Sequence, residues 1–271
     1  MPEQHNQCAT AIPAGALAPL FSAAVLVVAS LGVATPAMAQ SDKWQVDVAP
    51  LYLWAVETNG NISVRDRSVP VFLDFADAAD SLAGAFSFHG EARKNRVGIF
   101  SDINFIRLST DASFTTPILT RQVNGTAQLD MTMFEVGGTY LVRPDRNLSV
   151  IGGLRTYTLS PKLEFESDIR ELTVVDTGRT AASVFGGATF RPKLSDKWTL
   201  LTRADIGAGS AFTWSATLGF EYRVKPWAGL MFGYHALGID TGDAGADSSD
   251  VEYDVTHYGP MFSLTLHWTE K

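Results

Sequence analysis

The stretch "GPMFSLTLHW", residues 259 to 268, decides the fold because large apolar residues alternate in it with small or polar ones. Side chains of a β-strand point to opposite faces with a period of two. A helix would mix the two sets, so the pattern predicts a strand. The eleven residues from Tyr258 to Trp268 match the roughly 9 to 11 that a tilted transmembrane strand needs, and both ends are aromatic. The apolar face carries Tyr258, Pro260, Phe262, Leu264, Leu266 and Trp268.

The same alternation recurs along the chain and is sharpest in "TWSATLGFEYRV", residues 213 to 224. Short alternating segments separated by turn residues are typical of all-β proteins. Pro50 and Pro260 lack a backbone N–H, so a bulge or a weak seam is expected where the first and last strands pair. Strands are predicted near 44–56, 83–93, 96–108, 126–142, 148–160, 178–191, 198–208, 213–224, 227–239 and 252–268.

The connections between these segments alternate in length. Short turns at 94–95, 144–147, 192–197 and 225–226 take turns with longer stretches at 57–82, 109–125, 161–177 and 240–251. This arrangement predicts an all-β fold: a closed antiparallel up-and-down transmembrane β-barrel with periplasmic turns and extracellular loops. About ten strands are expected. The connection at Gly209–Ser210 is short where a long one should fall, so eight strands with one segment wrongly divided is the alternative.

Periodicity alone does not say whether the apolar face meets lipid or a core. A soluble barrel would turn Phe262 inward and Arg223 to water, whereas a membrane barrel does the reverse. The division of connections by length and the recurrence of tryptophan at predicted strand ends favour the membrane. These tryptophans are Trp44, Trp54, Trp198, Trp214, Trp227 and Trp268.

Residues 1–39 are predicted to be a signal peptide, and residues 40–271 to form the barrel domain. Leu20 to Ala34 is an apolar run too short to span a bilayer comfortably, and Ala37-Met38-Ala39 is an A-x-A cleavage site. The only cysteine, Cys8, would leave with the signal peptide. Removing Glu3 from the 29 acidic residues leaves 28 against 21 basic ones, a balance that argues against nucleic acid as a partner.

Charged residues fall on the strand face opposite the apolar one, which assigns them to the lumen. Six acids and five bases nearly cancel there, and charges removed from water are tolerable when paired. A narrow barrel filled by salt bridges is therefore predicted, with a narrow solute channel as the alternative. The predicted lumen network comprises Asp47, Glu91, Arg93, Asp102, Glu135, Arg155, Arg191, Arg203, Asp205, Glu221 and Arg223.

The long loops carry many acids and one predicted helix. Residues 71–84 are predicted to form a short amphipathic helix in the first long loop, either packed there for stability or folded over or into the barrel mouth as a lid. The acids are interpreted as a solvated surface, and divalent cations bridging them to lipopolysaccharide phosphates are the alternative. They include Asp74, Asp77, Asp80, Glu164, Glu166, Asp168, Asp240, Asp243, Asp247 and Asp250.

The sequence gives only weak evidence for a catalytic site. Ser87, His89 and Glu91 share one strand face and have the residue types of a nucleophile, base and orienting acid, but same-face neighbours are too far apart to hydrogen-bond without help. The row is interpreted as part of a lumen network. No histidine pair in residues 40–271 has metal-ligand spacing, so neither a metal, a cofactor nor an enzymatic activity is expected. A lipid- or peptide-directed hydrolase is the third hypothesis for function.

Three stretches carry a resemblance to a known group of proteins. The last strand and the segments "GSAFTWSATLGFEYRVKPWAGLMFGYHAL" (209–237) and "HGEARKNRVGIFSDINF" (89–105) resemble the small outer-membrane β-barrels of Gram-negative bacteria, similar in architecture to the barrel of outer membrane protein A. The resemblance implies location in the outer membrane and assembly by the insertion machinery that reads a C-terminal strand. We further expect contact with membrane lipid and lipopolysaccharide, a monomer, and a structural or surface-interaction role.

Overall fold

The structure is a computed structural model that describes residues 42–64, 67–73, 75–116, 121–167, 170–176, 179–242 and 251–270. The predicted signal peptide and several loop acids, among them Asp74, Asp168 and Asp243, lie outside these ranges. The elements are β1 (Gln45–Ala49), β2 (Tyr52–Trp54), β3 (Glu57–Val64), β4 (Arg67–Leu73), α1 (Phe75–Asp80), β5 (Leu82–Lys94), β6 (Val97–Thr116), β7 (Arg121–Arg143), a 3-10 turn (Pro144–Arg146), β8 (Leu148–Ser167), β9 (Arg170–Asp176), β10 (Arg179–Phe190), β11 (Trp198–Gly209), β12 (Phe212–Lys225), β13 (Ala228–Asp240) and β14 (Val251–Thr269).

Ten strands close into one antiparallel barrel. The order around the wall is β1, β5, β6, β7, β8, β10, β11, β12, β13 and β14, and β14 pairs with β1 to complete the circle. Closure leaves the wall with no free sheet edge. The prediction of about ten strands is confirmed, and the eight-strand alternative is wrong. The tight connection at Ser210 and Ala211 is a genuine short turn at the long-loop end.

The first strand of the barrel wall is interrupted at Pro50, where a bulge or a weak seam is predicted from the sequence. Val48 pairs with Leu266, but Tyr52 pairs with Ser263, so the interval around Pro50 holds one more residue than the facing interval of β14. This extra residue is a β-bulge. Beyond it, β2 and β3 continue along β14, and Ala55 donates its N–H to the carbonyl of Pro260 at 2.9 Å.

The barrel is apolar outside and polar inside. On β14, Phe262 is 58% exposed and Leu264 is 45% exposed, whereas Ser263 between them is 6% exposed. The predicted parity of faces therefore holds along this strand. Because no described part of the chain covers these apolar side chains, the outer surface needs a hydrocarbon environment. No helix among the described residues is long and apolar enough to cross a membrane.

Two features mark the limits of the lipid-facing band. Four tryptophans lie at the end that carries the short turns, which is the periplasmic end in barrels of this type. At the opposite end, the outward-facing Arg107 pairs with Asp130 through two hydrogen bonds of 2.8 and 2.7 Å. The Arg107 guanidinium holds the pKa of the Asp130 carboxyl below its ordinary value. The tryptophans are Trp44, Trp198, Trp227 and Trp268.

Several stretches predicted as loops are ordered ribbons. Strands β6 and β7 remain paired up to Thr116 and Arg121, β3 pairs with β4, and β8 pairs with β9. Antiparallel hydrogen bonding continues beyond the membrane without needing an apolar face, so periodicity does not detect it. The predicted helix over 71–84 is correct only for Phe75–Asp80, because its flanks belong to β4 and β5. Among the helical residues whose side chains are described, Ala78 is half-buried and the others are exposed, which does not fit a lid inserted into the barrel.

Candidate functional site in the barrel lumen

The centre of the lumen is a closed ring of four charges contributed by β7, β8 and β11, hereafter the central ring. Arg155 donates to Glu135 at 2.5 Å and to Asp205 at 2.7 Å. Arg203 donates to the second oxygen of each acid, at 2.8 and 2.7 Å. Arg155 is 1% exposed, so the two carboxylates, and hardly any water, compensate its charge. The guanidinium of Arg155 also stacks on Phe185, at 4.8 Å from the ring centroid.

A second network, the rim chain, lies toward the periplasmic end. It joins seven side chains, six from four strands (β1, β5, β12 and β14) and one from the residue just after β10. Their signs alternate, so each acid has a basic partner on either side. Gly229 makes room for this chain, because a Cβ at that position would lie 2.5 Å from the Glu221 Oε1 atom. The order is Arg191, Glu91, Arg93, Asp47, His267, Glu221 and Arg223, with joining distances of 2.6, 3.5, 2.9, 2.7, 2.8 and 3.3 Å.

The row of Ser87, His89 and Glu91 is drawn into different contacts. His89 Nδ1 lies 2.8 Å from Asp102 Oδ1 on the neighbouring strand, and Glu91 is held by Arg191 and Arg93. Cross-strand neighbours are closer than same-strand neighbours two residues apart, which explains the exchange of partners. Ser87 is buried. The acid that orients His89 is therefore Asp102 on the neighbouring strand, and not Glu91 on the same strand.

The extracellular half of the lumen is apolar, which sequence reasoning missed. Sulfur, aliphatic and aromatic side chains pack there into one cluster, hereafter the apolar plug. Its residues lie on the same strand faces as the charges, further along each strand. The signal was present as a change of composition on the inward face, from charged to apolar, along β6, β7 and β8: from Asp102 to Leu108, from Glu135 to Met131 and from Arg155 to Leu159. The members are Leu108, Met131, Met133, Tyr157, Leu159, Ala181, Ala211, Leu237, Ile239, Tyr253 and Val255.

One polar group crosses the apolar plug. His257 is 4% exposed, and its Nε2 and Nδ1 atoms lie 2.9 Å from the Tyr157 hydroxyl and 2.9 Å from the Thr58 hydroxyl. Both ring nitrogens therefore have partners, which removes the cost of burying the imidazole. The spacing of His257 from the other histidines predicts no metal role. In the structure, His257 instead links the Tyr157 and Thr58 hydroxyls across the bore.

A cavity of about 180 Å³ lies between the rim chain and the apolar plug. Its wall includes both charged and apolar side chains, because it spans the boundary between the two halves of the lumen. Trp54, predicted as a membrane-interface residue, instead faces this cavity and contacts His235 edge to face, with ring centroids 4.6 Å apart. Among the described residues, no group of three or more acids, histidines or cysteines could hold a metal ion.

All eleven residues of the predicted lumen network take part in ion pairs inside the barrel. Parity alone identified them, but it did not say which would meet. Asp102 was predicted within the charge network and pairs with His89 alone, whereas His267 was not predicted and links two acids in the rim chain. Glu135, Arg155, Arg203 and Asp205 form the central ring. Glu91, Arg93, Arg191, Asp47, Glu221 and Arg223 belong to the rim chain.

These features define the class of protein. A closed antiparallel barrel with an exposed apolar band, an aromatic girdle at one end and paired charges inside is a transmembrane β-barrel of the outer-membrane type. The prediction of an outer-membrane location is confirmed.

No protein-family model matches the sequence, and no curated protein matches it either. Solved structures with similar folds include the translocator domain of the autotransporter NalP from Neisseria meningitidis, at 12% identity and a TM-score of 0.46, covering 93% of this chain and 96% of that one. The outer membrane protease OmpT from Escherichia coli has 10% identity and a TM-score of 0.44, covering 87% and 99%. Ail of Yersinia pestis has 11% identity and a TM-score of 0.34, covering 84% and 99%.

Proposed function

We propose that the protein is a non-conducting outer-membrane β-barrel with a structural or surface-interaction role. The observation that carries the proposal is the pair of barriers stacked in the lumen. The central ring places Arg155, at 1% exposure, between two carboxylates, and the apolar plug fills the bore above it with side chains such as Leu237, also 1% exposed. An ion crossing the bore would have to pass the paired charges of the ring and shed its water within the plug.

The surface role is supported by the length of the strands on the extracellular side. The β6–β7 ribbon continues for nine residues past Arg107, to Thr116, beyond the edge of the lipid-facing band. At about 3.3 Å per residue this ribbon reaches roughly 30 Å further along its strands. A membrane anchor alone does not require such an extension, so the ribbon is suited to present residues to partners outside the cell.

The proposed partners follow from the two surfaces of the wall. The exposed apolar band contacts membrane lipid, and the ribbons pass among the lipopolysaccharide headgroups. The last strand, which ends near Trp268, is the element that the outer-membrane insertion machinery would read. Because its ten strands close on themselves, the barrel wall in the described part of the chain has no free edge with which a second copy could pair, and we propose a monomer without a cofactor.

A narrow solute channel is the competing function, because the cavity leaves part of the periplasmic half open. Planar-bilayer conductance separates the two functions. We expect purified protein to give no steady unit steps, whereas a known porin in the same apparatus should give them. Heat-modifiable migration of protein recovered from the same vesicles must show the folded barrel, so that silence is not due to missing or unfolded protein. Steady steps from the folded wild-type barrel would contradict the proposal.

A further inference from the structure

The outer face of the barrel carries four packed aromatic rings near its periplasmic end, hereafter the aromatic cluster. Trp198 contacts Tyr222 and Phe232, with ring centroids 5.0 and 5.9 Å apart, and Phe220 lies 5.9 Å from Phe232. Trp198 and Phe232 remain 37% and 39% exposed although the rings pack on one another. Phe220 comes two residues before Tyr222 on β12, so the cluster extends roughly 7 Å from the headgroup level toward the bilayer centre.

Three lysines, hereafter the turn lysines, lie at the periplasmic end of this face. Lys193 and Lys197 belong to the turn before β11, and Lys225 ends β12. The two turns adjoin, because Arg223 donates its backbone N–H to the carbonyl of Lys197 at 2.8 Å. The ammonium group of Lys197 lies over the Tyr222 ring, 5.9 Å from its centroid, so the charged end and the aromatic cluster meet.

The turn lysines differ from the lumen charges in having no acid partner. All three are exposed, and none of them forms an ion pair with another described residue. The sequence of the two turns, residues 192–197 and 225–227, contains a single acid, Asp196. Three basic residues against one acid leave a net positive patch at the level where lipid headgroups lie. Exposed lysines at this level attract anionic lipid headgroups.

The patch and the aromatic cluster together select one kind of ligand. A net positive surface favours an anion over a cation. The rings beside it are covered only by a ligand whose apolar part reaches into the bilayer, which a free anion does not have. A zwitterionic phospholipid is attracted less, because its own cationic group cancels the charge of its phosphate. An anionic phospholipid carries both the charge and the acyl chain that the surface needs.

We propose that the ends of β11, β12 and β13 bind an anionic phospholipid of the inner leaflet of the outer membrane. Its phosphate lies between Lys197 and Lys225, and one acyl chain packs along the aromatic cluster. The site goes beyond the proposed function, because lipid binding at the periplasmic end depends neither on a closed lumen nor on partners outside the cell. Steady conductance would therefore contradict the proposed function and leave this site untouched.

Native mass spectrometry of the folded barrel, purified in detergent, tests the proposal by counting bound lipids. Dioleoyl phosphatidylglycerol and dioleoyl phosphatidylcholine share their acyl chains and differ in net charge. At an ionic strength of about 0.15 M, we expect the first phosphatidylglycerol to bind at least about tenfold more tightly than phosphatidylcholine. Inorganic phosphate at the same concentration should not displace it. Equal affinity for the two lipids, or displacement by phosphate, would overturn the proposal.

A pair of lysine substitutions locates the headgroup. Lys197→Gln combined with Lys225→Gln should lower phosphatidylglycerol affinity at least about tenfold and leave phosphatidylcholine affinity unchanged. The matched control, Lys94→Gln combined with Arg96→Gln, removes two cations from the β5–β6 turn, five strands away around the ten-strand wall. It should bind as the wild type does. Equal losses in the two variants would assign the attraction to the whole periplasmic rim and refute the site.

A substitution in the aromatic cluster tests the acyl-chain contact without changing any charge, and it covers the case in which the lysine variant does not fold, as judged by heat-modifiable migration. Phe232→Ala should lower phosphatidylglycerol affinity at least about fivefold, because part of the apolar contact is lost. Phe134→Ala is the matched control, since Phe134 is 38% exposed on β7, on the opposite side of the barrel. Unchanged affinity in Phe232→Ala, or an equal loss in Phe134→Ala, would overturn the proposal.

Discussion

The two halves of the lumen are built on the same strands but held together by opposite means. Toward the periplasm, charges meet in the rim chain and the central ring. Toward the cell exterior, the inward faces of the same strands carry the apolar plug. Each arginine contact in the charged half fixes a direction and a partner, whereas each contact in the plug depends mainly on volume.

This difference determines how each half should respond to substitution. Removing one member of a buried ion pair leaves the other charge without compensation, so the charged half is sensitive to single changes. Removing volume from the plug leaves a cavity whose cost depends on how far the neighbours can relax. The comparison therefore predicts a large loss of stability in the central ring and a smaller one in the plug. For Ser87 and His89 on β5 it predicts no loss of a chemical activity.

The largest effect is expected for Arg155→Met, which leaves Glu135 and Asp205 facing each other with only Arg203 between them. The free energy of unfolding should fall by about 3 to 5 kcal/mol. Urea titration in detergent, followed by heat-modifiable migration, measures this loss. Arg223→Met at the end of the rim chain is the control and should cost less than about 1 kcal/mol, because its side chain is 36% exposed. Equal losses for the two variants would show that the central ring contributes no more to the free energy of unfolding than the end of the rim chain does.

A smaller loss is expected for Leu237→Ala in the apolar plug. Leu237 is 1% exposed, and a buried Leu→Ala change costs about 2 to 5 kcal/mol. We place this variant below Arg155→Met because the apolar neighbours can close part of the space. The same titration measures it, with Leu194→Ala as the control, since Leu194 is 55% exposed in a periplasmic turn and should change stability by less than about 0.5 kcal/mol. A loss from Leu237→Ala as small as the control's would mean that the plug is loosely packed.

No effect on chemistry is expected from Ser87→Ala or His89→Ala. We propose that these residues support the lumen and do not catalyse, because His89 is oriented toward Asp102 and Glu91 is held by two arginines. The lipid A composition of cells expressing each variant, compared by mass spectrometry with cells expressing the wild type, should be the same. A change in acylation that appears with the wild type and disappears with either variant would establish a hydrolase.

The sequence was sufficient for the wall of the barrel and for the identity of the charged lumen residues. Alternation with a period of two assigns each side chain to a face, so Arg155 and Asp205 were placed inside without knowledge of the fold. It was not sufficient for pairing, because partners such as His267 and Asp47 are 220 residues apart and meet only when the barrel closes. The plug was missed for a related reason: Leu237 and Val255 break no rule of alternation, and their common level in the bore depends on strand register.

Four of the six tryptophans stand at the turn end of the barrel, and this uneven distribution has a mechanical consequence. Indole rings prefer the headgroup level, so they hold that end at a constant depth relative to the inner leaflet. The opposite end is limited by the Arg107–Asp130 pair and then by ribbons that tolerate water. Variation in bilayer thickness is therefore absorbed at the extracellular end of the barrel, while the periplasmic end keeps a constant depth in the membrane.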